Sequence, residues 1–168
     1  MVQVNKERML QEFKDIVAIP SHTLGERPVC DYLKAKLVEL GFEVKEDNAG
    51  EKLGGNCGNL WAYRKGTKPG TRGLLSAHMD TVEPSTGATV VRRDGVLYSD
   101  GTTTLGGDDK SGVEGILEGL RLLQENNVET ADIQVLFTIF SSLLFGLLFN
   151  LIISNFKAKT QRLLTVIF

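Results

Sequence analysis

Apolar residues recur at helical spacing near the start of the chain. Met9, Leu10, Phe13, Ile16 and Val17 share one face of a helix predicted from Asn5 to Ile19, and Pro20 ends it. A second helix, from about Arg27 to Leu40, turns Val29, Leu33, Leu37 and Leu40 inward. Gly41 is its natural stop, because glycine enters the left-handed region without penalty. Phe42-Glu43-Val44 alternates like a strand, and the polar, glycine-rich stretch from Asp47 to Gly58 reads as a loop. Strands are predicted over Asn59 to Arg64 and Gly73 to Ala77, the second short and apolar but for Ser76, like a buried parallel strand. Val90 to Arg92 and Val96 to Tyr98, joined by Asp94-Gly95, read as a hairpin. A helix from about Asp109 to Glu125 carries Val113, Ile116, Leu117, Leu120 and Leu123, and Ile133 to Ile139 is another buried-type strand. Helices alternating with apolar strands predict an α/β three-layer domain with a mostly parallel mixed sheet over residues 1–139.

The pattern changes beyond Ile139. No charged residue lies between Asp132 and Lys157, and Phe140 to Ile153 is almost continuously apolar. With the preceding strand it approaches the roughly 20 residues of a membrane span, and Lys157, Lys159 and Arg162 follow as flanking cations would. Residues 140–168 admit three readings: a buried strand and helix, a membrane anchor, or a truncated or frame-shifted end. Gly146, Asn150 and the Ser141-Ser142 pair spoil a clean helical stripe and favour the third.

Composition adds exclusions. The chain has 168 residues, 42% hydrophobic and 24% charged, with a formal net charge of −2. That balance offers no basic surface for nucleic acid. The polar start from Met1 to Arg8 has no secretion-signal character. Cys30 and Cys57 show neither metal-type nor redox spacing, so a reduced, cytoplasmic chain is expected. Oligomeric state is not legible.

Candidate chemistry begins at Ser76-Ala77-His78-Met79-Asp80-Thr81, at the end of a buried strand, where open α/β folds place ligands. Positions i and i+2 of a strand share a face, so His78 and Asp80 can meet, and a carboxylate beside a metal-binding histidine fixes its tautomer. Alone, this pattern equally suits a histidine that hydrogen-bonds a turn. The second signal is Ser99-Asp100-Gly101-Thr102-Thr103-Thr104-Leu105-Gly106-Gly107-Asp108-Asp109-Lys110-Ser111-Gly112, which delivers two carboxylates to a helix start. One Asp would serve as a cap; two adjacent Asp residues suggest a cation. The Gly-x-x-x-x-Gly-Lys-Ser/Thr phosphate loop is absent.

Together these motifs resemble the peptidase T-like dizinc metallopeptidases, kin of carboxypeptidase G, aminoacylase and succinyl-diaminopimelate desuccinylase. The resemblance spans about residues 5–139, including Ile19-Pro20-Ser21 and Gly58-Asn59-Leu60. It implies the N-terminal part of a zinc-exopeptidase catalytic domain acting on small peptides, with two zinc ions per site. By that resemblance His78 is a zinc ligand, Asp80 the catalytic carboxylate that orients it, and Asp108 the bridging ligand, followed by a cis peptide to Asp109. The family's general-base glutamate belongs to a Glu-Glu pair just after the strand that ends here at Ile139, where this chain has Phe140-Ser141-Ser142. The later acidic ligand and histidine, and the dimerising lid domain, have no counterparts. The expectation is therefore an incomplete site in an inactive fragment, with a membrane-anchored binding module as the alternative.

Overall fold

The computed structural model describes residues 3–140 and a strand at 163–167. The expected helices form where periodicity placed them. Helix α1 (Lys6–Ala18) begins at Asn5, whose side chain accepts the Arg8 N–H and so satisfies one of the free donors of the first turn. Helix α2 (Arg27–Glu39) carries Pro28 in its first turn, where no N–H is needed. It stops before Gly41, which takes φ +78°. The stretch read as a plain loop contains a short helix, α3 (Ala49–Leu53). Polar contacts rather than an apolar stripe hold it: Asp47 Oδ1 accepts the backbone N–H of both Ala49 and Asn59.

Five strands build the main sheet: β1 (Glu43–Glu46), β2 (Leu60–Arg64), β3 (Arg72–His78), β6 (Ile133–Thr138) and β7 (Leu163–Ile167), in the order β1-β2-β6-β3-β7. The pairs β1–β2 and β2–β6 are antiparallel, whereas β6–β3 and β3–β7 are parallel. The mixed α/β sheet expected from the sequence is thus present, and its parallel half carries the site. The hairpin β4 (Val90–Arg93) and β5 (Val96–Ser99) stands apart, with Asp94 and Gly95 both at positive φ as a tight hairpin turn requires.

One face of the sheet presents Leu60, Ala62, Ala77, Val135 and Phe137, all buried in one core with Ile16 of α1, Leu33 and Leu37 of α2, and Val113, Leu117 and Leu120 of α4 (Gly107–Glu125). The other face presents Leu74, Ser76, Leu136 and Thr138, also buried. Every residue of β6 is therefore buried, the pattern of a central strand in a layered α/β domain. A smaller cluster of Phe13, Val17 and Ala88 joins α1 to the hairpin.

Of the apolar tail expected over 140–168, residues 141–162 and Phe168 lie outside the described residues. Among the described residues no helix is long and apolar enough to cross a membrane.

Candidate metal centre and its buried support

Strand β3 ends at His78, paired in parallel register with Thr138 of β6. The Met79 N–H donates to the Thr138 carbonyl at 2.8 Å, so the two strands finish side by side. His78 Nδ1 lies 2.9 Å from Asp80 Oδ1 and 3.0 Å from the Asp80 carbonyl. A proton on Nδ1 is the donor to both, which directs Nε2 away from Asp80. Nε2 meets Asp108 Oδ1 at 3.1 Å. The three residues singled out in the sequence thus come together: one imidazole between two carboxylates. Burial alone would lower the His78 pKa, but the hydrogen bonds to Asp80 and Asp108 outweigh it and raise the pKa to about 9.

The loop before α4 aims Asp108. Gly106 sits at φ +70° with Thr81 Cγ2 only 3.3 Å from where a β-carbon would stand, so an L-residue there is both strained and crowded. Asp108 and Asp109 keep non-helical dihedrals, and the peptide between them is cis, as the family resemblance implies. The two neighbours have different surroundings. The Asp108 side chain is 96% exposed, whereas Asp109 is buried and its Oδ2 accepts the His78 backbone N–H at 3.2 Å. Burial raises the Asp109 pKa, with that hydrogen bond opposing.

Beneath this layer lies a support that sequence reasoning missed. Thr23 Oγ1 donates to Asp80 Oδ2 at 2.8 Å. Lys110, with no exposed surface, donates from Nζ to Ser21 Oγ at 2.6 Å, and Ser21 Oγ stands 3.3 Å from Thr81 Oγ1. The Ser21 carbonyl accepts the Thr81 N–H. Desolvation lowers the Lys110 pKa to about 8, opposed by the charges of Asp80 and Glu26. Glu26 is fully buried and its pKa is raised, chiefly by desolvation. The signals in the sequence were Ile19-Pro20-Ser21 and the Lys after Asp-Asp, but nothing local joins them. His22 bridges to Thr81 through the backbone, yet its ring faces Glu83 at 3.7 Å rather than His78.

As a metal site the arrangement offers one nitrogen and one carboxylate, His78 Nε2 and Asp108, with Asp80 behind the ring. A catalytic zinc normally takes about three protein ligands. Among the described residues no group of three or more His, Cys, Asp or Glu side chains is arranged to hold a metal ion. The donor types suit zinc, but the described set does not complete its coordination.

No family model matches this chain. It is 40% identical over 136 residues to the Bacillus subtilis protein YqjE, a match covering 81% of this chain and 37% of that protein. It is 32% identical over 108 residues to the succinyl-diaminopimelate desuccinylase of Novosphingobium aromaticivorans, covering 61% and 29% of the two chains. Among solved structures, the aminopeptidase PepT from Bacillus cereus superposes with a TM-score of 0.79 at 38% identity, covering 81% of this chain and 37% of that one. This chain therefore spans between 29% and 37% of the length of these relatives. By sequence and by fold it is a relative of the peptidase T-like metallopeptidases, matched over part of their length.

Proposed function

We propose that the chain carries the first part of a zinc-dependent aminopeptidase or amide-hydrolase site for small peptides, and that these 168 residues alone do not complete it. The observation that carries the reading is the His78–Asp80–Asp108 constellation at the end of a parallel strand. Asp80 holds the His78 ring through Nδ1 and leaves Nε2 facing Asp108, the nitrogen a metal ion would take on displacing its proton. Asp108, exposed on its glycine-rich turn, supplies the carboxylate beside it. The relatives called aminopeptidase and desuccinylase support a hydrolase of small peptides or acylated amino acids.

Because the donor set falls short, no hydrolytic step is assigned to these residues. The position expected for a general-base glutamate follows Ile139, and the sequence there is Phe140-Ser141-Ser142. A serine hydroxyl is no adequate base near neutral pH. A cytoplasmic setting belongs to the same reading, since Cys30 and Cys57 are both free thiols buried in the core.

The test is equilibrium dialysis of the purified chain against zinc, followed by incubation with a tripeptide. Substoichiometric zinc and no release of the N-terminal residue are expected. Tight stoichiometric binding, or metal-dependent turnover, would show that the described donors suffice.

A further inference from the structure

Between α1 and α2 the chain makes a turn that its surroundings fix from several sides. The Gly25 N–H donates to the His22 carbonyl at 2.8 Å, closing the turn over Thr23 and Leu24. Leu24 takes φ +68°, a conformation that is costly for a side chain of its size and persists only where neighbours hold it. Its N–H donates to Glu26 Oε1 at 2.9 Å, and its carbonyl accepts the Asn56 N–H at 3.2 Å. Gly25 has no room for a β-carbon, which would stand 2.2 Å from the His22 ring. Just upstream, the chain is pinned to the candidate metal centre. The Ser21 carbonyl accepts the Thr81 N–H at 2.9 Å, His22 forms a parallel bridge with Thr81, and Lys110 Nζ donates to Ser21 Oγ at 2.6 Å.

What this turn presents to the site is a hydroxyl. Thr23 Oγ1 donates to Asp80 Oδ2 at 2.8 Å, while Asp80 Oδ1 accepts the His78 Nδ1–H at 2.9 Å. Asp80 is buried, so protein groups rather than bulk water orient its carboxylate. A carboxylate is planar, and rotation about its Cβ–Cγ bond moves both oxygens together. A donor fixed on Oδ2 therefore also sets the direction in which Oδ1 meets His78. The contacts run in series from Thr23 to Asp80 to His78, whose Nε2 meets Asp108 at 3.1 Å.

Two uses of Thr23 differ in what they require. A residue that only fills space beside Asp80 needs the shape of threonine, which valine shares. A residue that orients Asp80 needs the hydroxyl, on a backbone that keeps it in place. The turn meets the second requirement, since the bonds to His22, Glu26 and Asn56 leave its backbone little freedom. The charges around Asp80 give the hydroxyl something to decide. Lys110 attracts the carboxylate and the buried Glu26 repels it, so more than one orientation is open to Asp80. The Thr23 bond favours the one that faces His78.

We propose that Thr23 is a positioning residue of the candidate metal centre, whose hydroxyl fixes the Asp80 carboxylate and through it the His78 ring. The proposal rests on the reading of His78 as a metal ligand and Asp80 as the carboxylate that orients it, and adds the group that sets their geometry.

Exchange of the His78 Nδ1–H with water, followed by NMR on the full chain with isotope-labelled histidine at one fixed pH, tests this. The chain has two histidines, so the ring signals are few. Thr23→Val keeps the shape and loses the hydroxyl, and is expected to speed this exchange roughly tenfold or more, the worth of one hydrogen bond to a charged group. The backbone amides of Ala77 and Val135 should stay within about twofold of the parent, because the core is untouched. Thr23→Ser keeps the hydroxyl and should behave as the parent, whereas a packing role predicts the reverse order, with serine the worse. On the unaltered chain the Thr23 hydroxyl proton should itself be visible and slow to exchange, which decides the matter even if a variant fails to fold. A rapidly exchanging hydroxyl, parent-like exchange in Thr23→Val, or equal acceleration at Nδ1 and in the core amides would each overturn the proposal. No metal enters these measurements, so they are decided separately from the zinc dialysis that tests the reading of the site.

Discussion

Lys110 and Glu114 lie four positions apart on α4, both buried, and their surroundings treat them oppositely. The Lys110 ammonium has a short bond to Ser21 and two acids nearby, Asp80 and Glu26, that favour its charge. Removing it leaves buried carboxylates without their counter-charge, which is costlier than the pair itself is stabilising. Lys110→Ala is expected to lower stability by about 3–5 kcal/mol in urea unfolding; a loss under about 1 kcal/mol would mean that the ammonium compensates nothing. Glu114 instead shares a side-chain hydrogen bond with another acid, Glu12. Its pKa rises from the usual carboxylate value to about 8, so the fold favours its neutral form. That contribution is complete below the ordinary carboxylate pKa and is lost as the pH rises through about 8. Glu12 and Glu118, on either side, share Arg121 and remain charged throughout. Glu114→Gln should therefore match the parent near pH 5 and exceed it at pH 9 by about 1–3 kcal/mol. Parallel stability curves for the two proteins from pH 5 to 9 would place Glu114 in contact with water or a cation.

The elements are tied together by polar side chains at their ends as much as by the core. Arg8 on α1 forks onto Glu118 of α4, with Nε and Nη2 each at 2.9 Å, and also pairs with Glu125. Asn59, ahead of β2, is the corresponding tie for β6. Its backbone and side-chain amides donate to Asp47, and its Oδ1 accepts the Ile139 N–H at 3.0 Å, where the chain leaves β6 beside the site. Asn59→Ala should cost about 1–3 kcal/mol, because the buried Ile139 N–H loses its acceptor. Hydrogen exchange should show faster exchange at Ile139 than at Val135; unchanged protection at Ile139 would show that another acceptor replaces Asn59. Helices α1, α2 and α4 were legible in the sequence because each spreads its apolar residues over one face, as Val29, Leu33 and Leu37 do. The short α3 was not, since Asp47 rather than an apolar stripe organises it. Strand order was equally hidden. Parity along β3 and β6 showed which residues share a face, but nothing local says that β2 inserts between β1 and β6. The site divides the same way. His78 and Asp80 are two residues apart, so their meeting could be read from strand geometry. Ser21 and Lys110, which brace them, are 89 residues apart and meet only through the fold.

At the scale of the molecule, the parallel register of β3 and β6 decides where any missing chemistry has to enter. Thr138 stands beside His78, so the segment after Ile139 is the one the sheet delivers to the candidate metal centre. In this chain that segment begins Phe140-Ser141-Ser142, and the match covers 37% of the length of YqjE and of PepT. If residues 1–139 preserve a working half-site, they should function once the remainder is supplied. A fusion of residues 1–139 to the part of the Bacillus cereus aminopeptidase PepT that follows its matched region tests this directly. The fusion is expected to bind zinc and release the N-terminal residue of a tripeptide. Asp80→Asn in the fusion should lower activity about 10–100-fold, as loss of a carboxylate that orients a ligand histidine does, whereas His78→Ala should lower zinc affinity itself. A folded, zinc-loaded fusion that stays inert would place the defect within residues 1–139. An active fusion indifferent to Asp80→Asn would remove Asp80 from the machinery while leaving the family relation intact.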